Sequence, residues 1–437
     1  MKTIDYIPTS KIARASKLLT TGIKVGGNYT KYYSKKLFVD TDKSELDQDN
    51  ATTIYDGLKD MKGSALKVIQ MLSMEKNLLP KSYYETFSLA QFSVPSLSYP
   101  LVRKAFLTHL KKLPQDLFDS FEKEARAAAT IGQVHYATKD NKGYAVKIQY
   151  PGVAESISSD LKLVKPFALK MFNIKANETE PYFKEVESKL LEETNYTLEL
   201  KQSLEIVNSC KELPNLKFPN YYPELSSDKI LTMDWVDGIH LSEFSKESNS
   251  NKDRQQIGQA LWDFYMFQIH NLKKVHADPH PGNFLVTDSN QLVPIDFGCM
   301  KEIPEDFYKP YFSLATKEVL NDSIEFEKHL YKLEILKSTD SKETVDFVKR
   351  LFHQLLSIFT KPFLEASFDF SNPAFWNEIA SITEVLSQDK TIRKMDGNRG
   401  SKHFLYVNRT FFGLYNLLYD LGVVIDTNAW KQHMSNN

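Results

Sequence analysis

His276-Ala277-Asp278-Pro279-His280-Pro281-Gly282-Asn283 is followed by Phe284-Leu285-Val286, a polar turn from Thr287 to Gln291, and Leu292-Val293-Pro294-Ile295-Asp296-Phe297-Gly298. The apolar triplets on either side of the turn predict two short strands, so the chain doubles back and returns a second carboxylate, Asp296, to the side of Asp278. Asn283, five positions after Asp278, adds a neutral oxygen ligand. One carboxylate to orient a hydroxyl or take its proton, with an amide oxygen and a second carboxylate for a hard divalent cation, is the equipment of phosphoryl transfer. Asp278 is therefore the candidate catalytic residue, and Asn283 and Asp296 are the candidate Mg2+ ligands. Each piece alone is modest, because D-F-G arises by chance and a histidine-rich loop can be a polar turn. The order and spacing together make the signal strong. His276 reads as a structural hydrogen-bonder, and a zinc reading of His276 and His280 has no nearby third soft ligand except Cys299.

H-x-D-x-x-x-x-N with a later D-F-G is the protein-kinase pattern, and a kinase site must also grip a triphosphate. Upstream, Ala127-Ala128-Ala129-Thr130-Ile131-Gly132-Gln133-Val134 overlays the glycine-rich loop G-x-G-x-x-G-x-V with alanine at the first two glycines. Methyl groups there restrict the backbone freedom that glycine allows, so an altered phosphate grip is expected. Beyond Val134 comes Ala145-Val146-Lys147, the strand lysine expected to hold the α- and β-phosphates. Its acidic partner should sit on the following helix, where Glu199 and Glu193 are candidates. The strand-like Ile230-Leu231-Thr232-Met233 runs into Asp234-Trp235-Val236-Asp237-Gly238, a crossover at which Met233, Asp234 and Val236 are candidate nucleotide contacts.

Taken together, the alanine-rich loop, the H-x-D-P-H-P-G-N loop and D-F-G resemble the UbiB (AarF-domain) family of atypical protein-kinase-like proteins. Gly63-Ser64-Ala65-Leu66-Lys67-Val68-Ile69-Gln70 is similar to the family's K-x-G-Q leader motif, which singles out Lys67 and Gln70. Gln149-Tyr150-Pro151-Gly152-Val153 continues the family's lysine strand, and Glu193-Thr194-Asn195-Tyr196-Thr197-Leu198-Glu199 resembles its E-x-D-Y-x-x-E helix. By that match Glu199 is the lysine's partner and Glu193 the family-specific acid. The chain departs from the pattern at Ile69, where the leader has glycine, at Thr130, where the loop has serine, and at Asn195, where the helix has aspartate. The resemblance implies ATP or ADP with Mg2+ as cofactors and a leader that folds over the site and occludes peptide substrates. It also implies ATP binding or hydrolysis linked to isoprenoid quinone or other lipid metabolism.

At 437 residues the chain can form two or three units with a sizeable core, and 42% hydrophobic with 25% charged residues is ordinary for a globular protein. A formal net charge of -1 excludes bulk attraction to nucleic acid. Two cysteines, Cys210 and Cys299, cannot make a disulfide framework, which fits a reducing cytoplasmic compartment. There is no contiguous apolar stretch long enough to span a bilayer and no secretory signal; Phe404 to Ile425, the most apolar candidate, is interrupted by polar residues and predicts a core helix. Residues 1–36 carry eight basic residues and one acid, Asp5. Ile12, Leu19 and Ile23 share a helical face, so this segment is either a basic helix lying peripherally on an anionic membrane surface or a solvated helix packed on the body.

The expected architecture is α+β, a two-lobed protein-kinase-like fold, mostly helical, with a helical N-terminal extension. Its divisions are 1–55, a basic variable leader; 56–118, the helical extension with the leader motif; 119–235, an N-lobe with inserted helices; and 236–437, a helical C-lobe with the catalytic and D-F-G loops. Two other functions compete with the atypical kinase or ATPase reading. One is a small-molecule phosphotransferase of the aminoglycoside or choline kinase type, opposed by the leader motif and alanine-rich loop. The other is a nucleotide-gated lipid-binding scaffold with little turnover, opposed by the complete set of catalytic residues.

Overall fold

The computed structural model of the protein describes residues 3–4, 11–36, 43–59, 86, 96–128, 131–172, 176–247, 249–388 and 399–430. These sort into two units, Met1–Lys201 with Asn220–Trp235 and Gln202–Pro219 with Val236–Asn437. The leader motif at 63–73, with Lys67 and Gln70, lies outside the described residues, as do Ala129 and Thr130.

In the first unit, β1 (Thr3–Ile4) runs parallel to β2 (Ser96–Leu97). Helices α1 (Lys11–Lys36) and α2 (Lys43–Lys59) pack together by burying Thr21 and Val25 of one against Leu46, Ala51 and Ile54 of the other. A β-carbon at Gly57 would collide with Thr21. Leu19 and Ile23 point away from this seam, 67% and 69% exposed. Helix α3 (Tyr99–His109) follows, with proline in its first turn, where the missing N–H costs nothing.

The sheet of this unit holds β3 (Ser120–Phe121), β4 (Ala127–Ala128), β5 (Gly132–Lys139), β6 (Lys142–Gln149) and β7 (Ile230–Asp234), all antiparallel, in the order β3-β5-β6-β7 with β4 also on β5. Asp140 and Asn141 join β5 to β6 at φ of 50° and 59°, the left-handed pair that a two-residue hairpin requires. Val146 and Ile148 of β6 join Val102, Phe106, Phe118, Ala137, Tyr150 and Ile230 in one core, while Lys147 falls on the opposite face by the two-residue period. Helices α4 (Val153–Phe172), α5 (Ala176–Glu193) and α6 (Tyr196–Cys210) come between β6 and β7. The chain breaks between α5 and α6 at Thr194-Asn195. Asn195 Oδ1 accepts from Leu198 N at 3.0 Å and caps α6, a task that asparagine does as well as the family's aspartate.

Residues 202–219, grouped above with the N-lobe, belong to the second unit. Leu216 bridges Leu292, Lys217 N donates to Leu292 O at 3.0 Å, and Lys274 pairs with Glu205 at 2.7 Å.

In the second unit, β8 (Ile239–His240) precedes α7 (Asn251–Phe267), a buried helix capped by Ser250. Helix α7 runs into a π-helical turn, Gln268–Leu272, whose wider coil ends at Lys273 with φ 51°. β9 (Lys274–His276), β10 (Phe284–Val286), β11 (Leu292–Pro294) and β12 (Met300–Glu302) then form two small ladders, β11-β10-β8 and β12-β9. Helices α8 (Glu305–Ser313), α9 (Ser323–Lys332), α10 (Lys342–Phe359), α11 (Pro373–Gln388) and α12 (Lys402–Leu421) complete the unit, with β13 (Ser367–Asp369) paired to β14 (Val424–Asp426). The apolar stretch 404–425 is therefore one core helix only to Leu421; Gly422, at φ 67°, stops it and turns the chain into a strand. Among the described residues no helix is long and apolar enough to cross a membrane.

Candidate functional site

The strand lysine is held from three sides within the first unit. Lys147 lies opposite Val134 on β5 and Leu231 on β7, and Val134 lies opposite Ala127 on β4. Backbone register thus carries the alanine-rich segment and the lysine on one row of the sheet. Lys147 Nζ donates to Glu199 Oε1 at 2.7 Å, with the lysine side chain 18% exposed and the glutamate 2%. Its ammonium also stands 5.1 Å from the ring centre of Tyr196. Of the two acids singled out in the sequence, Glu199 takes the lysine, while Glu193 closes α5 half-buried.

Ala127 and Ala128 lie in regular strand pairing, opposite Val134 and Gln133. Gly132 has no positive φ; it is needed because a β-carbon there would come within 2.8 Å of Ile148 O and of Tyr196 Oη. Glu199→Ala would remove the carboxylate paired with the lysine at 2.7 Å on a largely buried face. Allowing for the partial exposure of Lys147, the loss of unfolding free energy should be about 2–3 kcal/mol by chemical denaturation, against less than about 1 kcal/mol for an exposed pair such as Lys328–Glu325.

Gln133 and His135, next to this row, form a buried relay that the sequence reading did not single out. Leu97 N donates to Gln133 Oε1 at 2.6 Å, which leaves the Gln133 amide to donate to His135 Nε2 at 2.7 Å and His135 Nδ1–H to donate to Glu122 O at 2.8 Å. A second proton on His135 has nowhere to go. Burial lowers its basicity below the ordinary imidazole value, the hydrogen bond to and charge of Glu122 opposing this only in part. The unfolded chain therefore binds more protons than the folded one, and stability is lost as pH falls below about 6.5. Melting temperature should drop between pH 7 and pH 5, and His135→Gln should flatten part of that slope.

Asp234 is occupied by the fold. Its Oδ2 accepts from Asn220 N at 3.0 Å and Asn220 Nδ2 at 2.7 Å; its Oδ1 accepts from Tyr222 Oη at 2.6 Å and pairs with Lys142 Nζ at 2.7 Å. Burial opposes ionisation, yet the bonds from Lys142, Tyr222 and Asn220 hold the carboxyl below its usual range. Met233 lies opposite Ala145, and Val236 belongs to the second unit.

Within the second unit, the strand-turn-strand places Asp278, Asn283 and Asp296 on adjoining loops. Phe284 faces Pro294 in the β10–β11 ladder, and Ile295 N donates to Asn283 O at 3.0 Å, which brings Asn283 alongside the segment carrying Asp296. Asn283 Nδ2 donates to Asp278 O at 3.0 Å, so its amide oxygen is turned away from that bond. Asp296 Oδ1 accepts from Gly298 N at 2.9 Å. All three side chains are half-buried.

The loop histidines make local contacts. His276 is buried, its backbone N–H donates to Gln268 Oε1 of the π-helical turn at 3.0 Å, and its ring meets Phe297 edge-on at 6.2 Å. Burial lowers its pKa against the pull of Asp278 and Asp296, the two carboxylates its ring feels. His280 Nδ1 accepts from Gly282 N at 3.1 Å, shaping the loop. The remaining donors, two carboxylates and an amide oxygen, are hard ligands that suit Mg2+ carried on phosphates.

A kinase-like fold is shared with the Mycobacterium tuberculosis protein Rv3197, solved in complex with erythromycin, at a TM-score of 0.62 and 22% identity over 89% of this chain and 96% of that one. The chain is 32% identical over 246 residues to "Protein ACTIVITY OF BC1 COMPLEX KINASE 8, chloroplastic" of Arabidopsis thaliana, covering 54% of this chain and 32% of that protein. It is 30% identical over 281 residues to "Atypical kinase COQ8, mitochondrial" of Saccharomyces cerevisiae, covering 63% and 56%. The chain thus spans from about a third to just over half of the length of these curated relatives. Residues 89–330, more than half of the chain, match the ABC1 atypical kinase-like domain and take in the lysine strand, the Asp278 loop and Asp296, so the protein belongs to the ABC1 (UbiB/AarF) family of atypical kinase-like proteins.

Proposed function

We propose that the chain is a Mg2+-dependent ATPase or kinase that acts in isoprenoid quinone or other lipid metabolism. The observation that carries this reading is the closed Lys147–Glu199 pair at 2.7 Å, since that ion pair must be in place for kinase-type phosphoryl transfer. Bound Mg-ATP would supply the γ-phosphoryl group and the cation that neutralises its developing charge. Lys147 would hold the α- and β-phosphates, Asp296 and Asn283 the metal, and Asp278 would orient the attacking hydroxyl or water and take its proton. Glu199 keeps the lysine charged and aimed. Ala127 and Ala128, fixed in strand pairing, would make the phosphate grip stiffer than a glycine loop, in keeping with slow turnover.

A peripheral membrane location is supported by α1. Leu19 and Ile23 face outward, with Lys24 and Lys31 exposed on the same helix, which suits an anionic lipid surface. The lipid pathway itself is drawn from the kinship with the COQ8 protein. ATP hydrolysis measured with and without vesicles containing anionic lipid tests the proposal. Mg2+-dependent hydrolysis that rises with such vesicles supports it. Nucleotide binding without hydrolysis under either condition would favour the nucleotide-gated scaffold, and turnover only with a soluble small-molecule acceptor would favour the phosphotransferase.

A further inference from the structure

Glycine in the interior of a helix is costlier than any residue but proline, and α12 carries one, Gly413, near its middle. A β-carbon at that position would overlap Pro279 Cγ outright and would stand 3.2 Å from Pro279 Cβ and 3.4 Å from its Cδ. Pro279 directly follows Asp278. The bare backbone of α12 is the seat of the Asp278 loop.

Neither side of this contact can yield cheaply. Phe411, Leu414, Tyr415 and Leu418 of α12 are buried. The Phe411 ring lies 5.3 Å from Phe363, the Tyr415 hydroxyl donates to Phe359 O at 3.0 Å, and Arg254 donates to Leu421 O at 3.2 Å. On the loop side, proline fixes its own φ and restricts the residue before it. Asp278 O accepts from His280 N at 2.8 Å and from Asn283 Nδ2 at 3.0 Å. A push on Pro279 is therefore passed on to Asp278 and Asn283.

We propose that Gly413 is a positioning residue for the Asp278 loop: by presenting no side chain, it sets the depth at which Pro279 rests and so where Asp278 and Asn283 stand. The kinetic consequence rests on the catalytic reading given above; the structural one does not.

The test uses the full chain with Gly413→Ala, Pro279→Ala and the double variant, read by Mg-ATP turnover and by amide hydrogen exchange of the 276–287 segment. Gly413→Ala should lower kcat roughly tenfold or more, because small misplacements of a catalytic group are expensive. It should also speed exchange in the loop. In the Pro279→Ala background the same substitution should change kcat by less than about threefold and leave exchange unaltered. A position that matters only to the helix would instead gain stability from alanine and keep wild-type kcat. Unchanged turnover and exchange in Gly413→Ala, or equal losses in both backgrounds, would overturn the proposal. If the wild type hydrolyses no ATP, the catalytic reading fails alone and the exchange cycle still decides the seat: faster exchange cancelled by Pro279→Ala upholds it, and no change refutes it. Should Gly413→Ala not fold, recovery of folded protein in the double variant upholds the contact and failure to recover overturns it.

Discussion

In Asp296→Asn the thermal stabilisation by Mg-ATP is expected to vanish. Wild-type protein with nucleotide at about 100 times its dissociation constant should gain about 2.7 kcal/mol of unfolding free energy. The variant should unfold at the same temperature with and without Mg-ATP, because asparagine keeps the shape and the acceptor for Gly298 N but removes the charge a magnesium ion needs. Thermal unfolding with Mg-ATP, ATP plus chelator, and no ligand separates metal-dependent binding from nucleotide binding of any other kind. A full shift retained in the variant would remove Asp296 as the metal ligand. No shift in the wild type at millimolar nucleotide would count against ATP as the ligand of the described chain.

Asp278→Asn should divide binding from chemistry. The Mg-ATP stabilisation should persist, since Asp278 is assigned to the attacking group and the backbone oxygen that holds Asn283 is untouched by the substitution. Turnover should fall by about 10³-fold, within the range that a positioned general base supplies. Steady-state hydrolysis under saturating Mg-ATP is the measurement, and a normal rate would make the catalytic assignment wrong. The contrast between the two asparagine variants, one losing binding and the other losing rate, is the signature that neither a structural lesion nor a simple charge effect would produce.

What the sequence revealed of this site was local. Asp278, Asn283 and Asp296 fall within 19 residues, around the strand-turn-strand from Phe284 to Pro294, and two apolar triplets with a polar turn are enough to read it. Lys147 was legible from its place in Ala145-Val146-Lys147, downstream of the alanine-rich loop. Its partner was reached by motif, and the register of the sheet, which puts Val134 and Leu231 on either side of the lysine, came only with the fold.

Long-range partners were hidden for a physical reason. Nothing near Asp234 announces that Lys142, Asn220 and Tyr222 will converge on its carboxylate. The relay from Leu97 through Gln133 to Glu122 is equally silent, because its members are joined by burial and not by spacing. Helical periodicity placed Leu19 and Ile23 on one face of α1 but not which face would meet α2; Thr21 and Val25 won that seam and left the other outward.

The two units are interleaved along the chain, with β7 returning to the first only after residues 202–219 have contributed to the second. No single break in the gene could separate them: a crossover at 201 would strip the sheet of β7, and one at 235 would carry off a piece of the neighbouring unit. Exchange of one contiguous segment at either point therefore cannot replace one unit and leave the other whole.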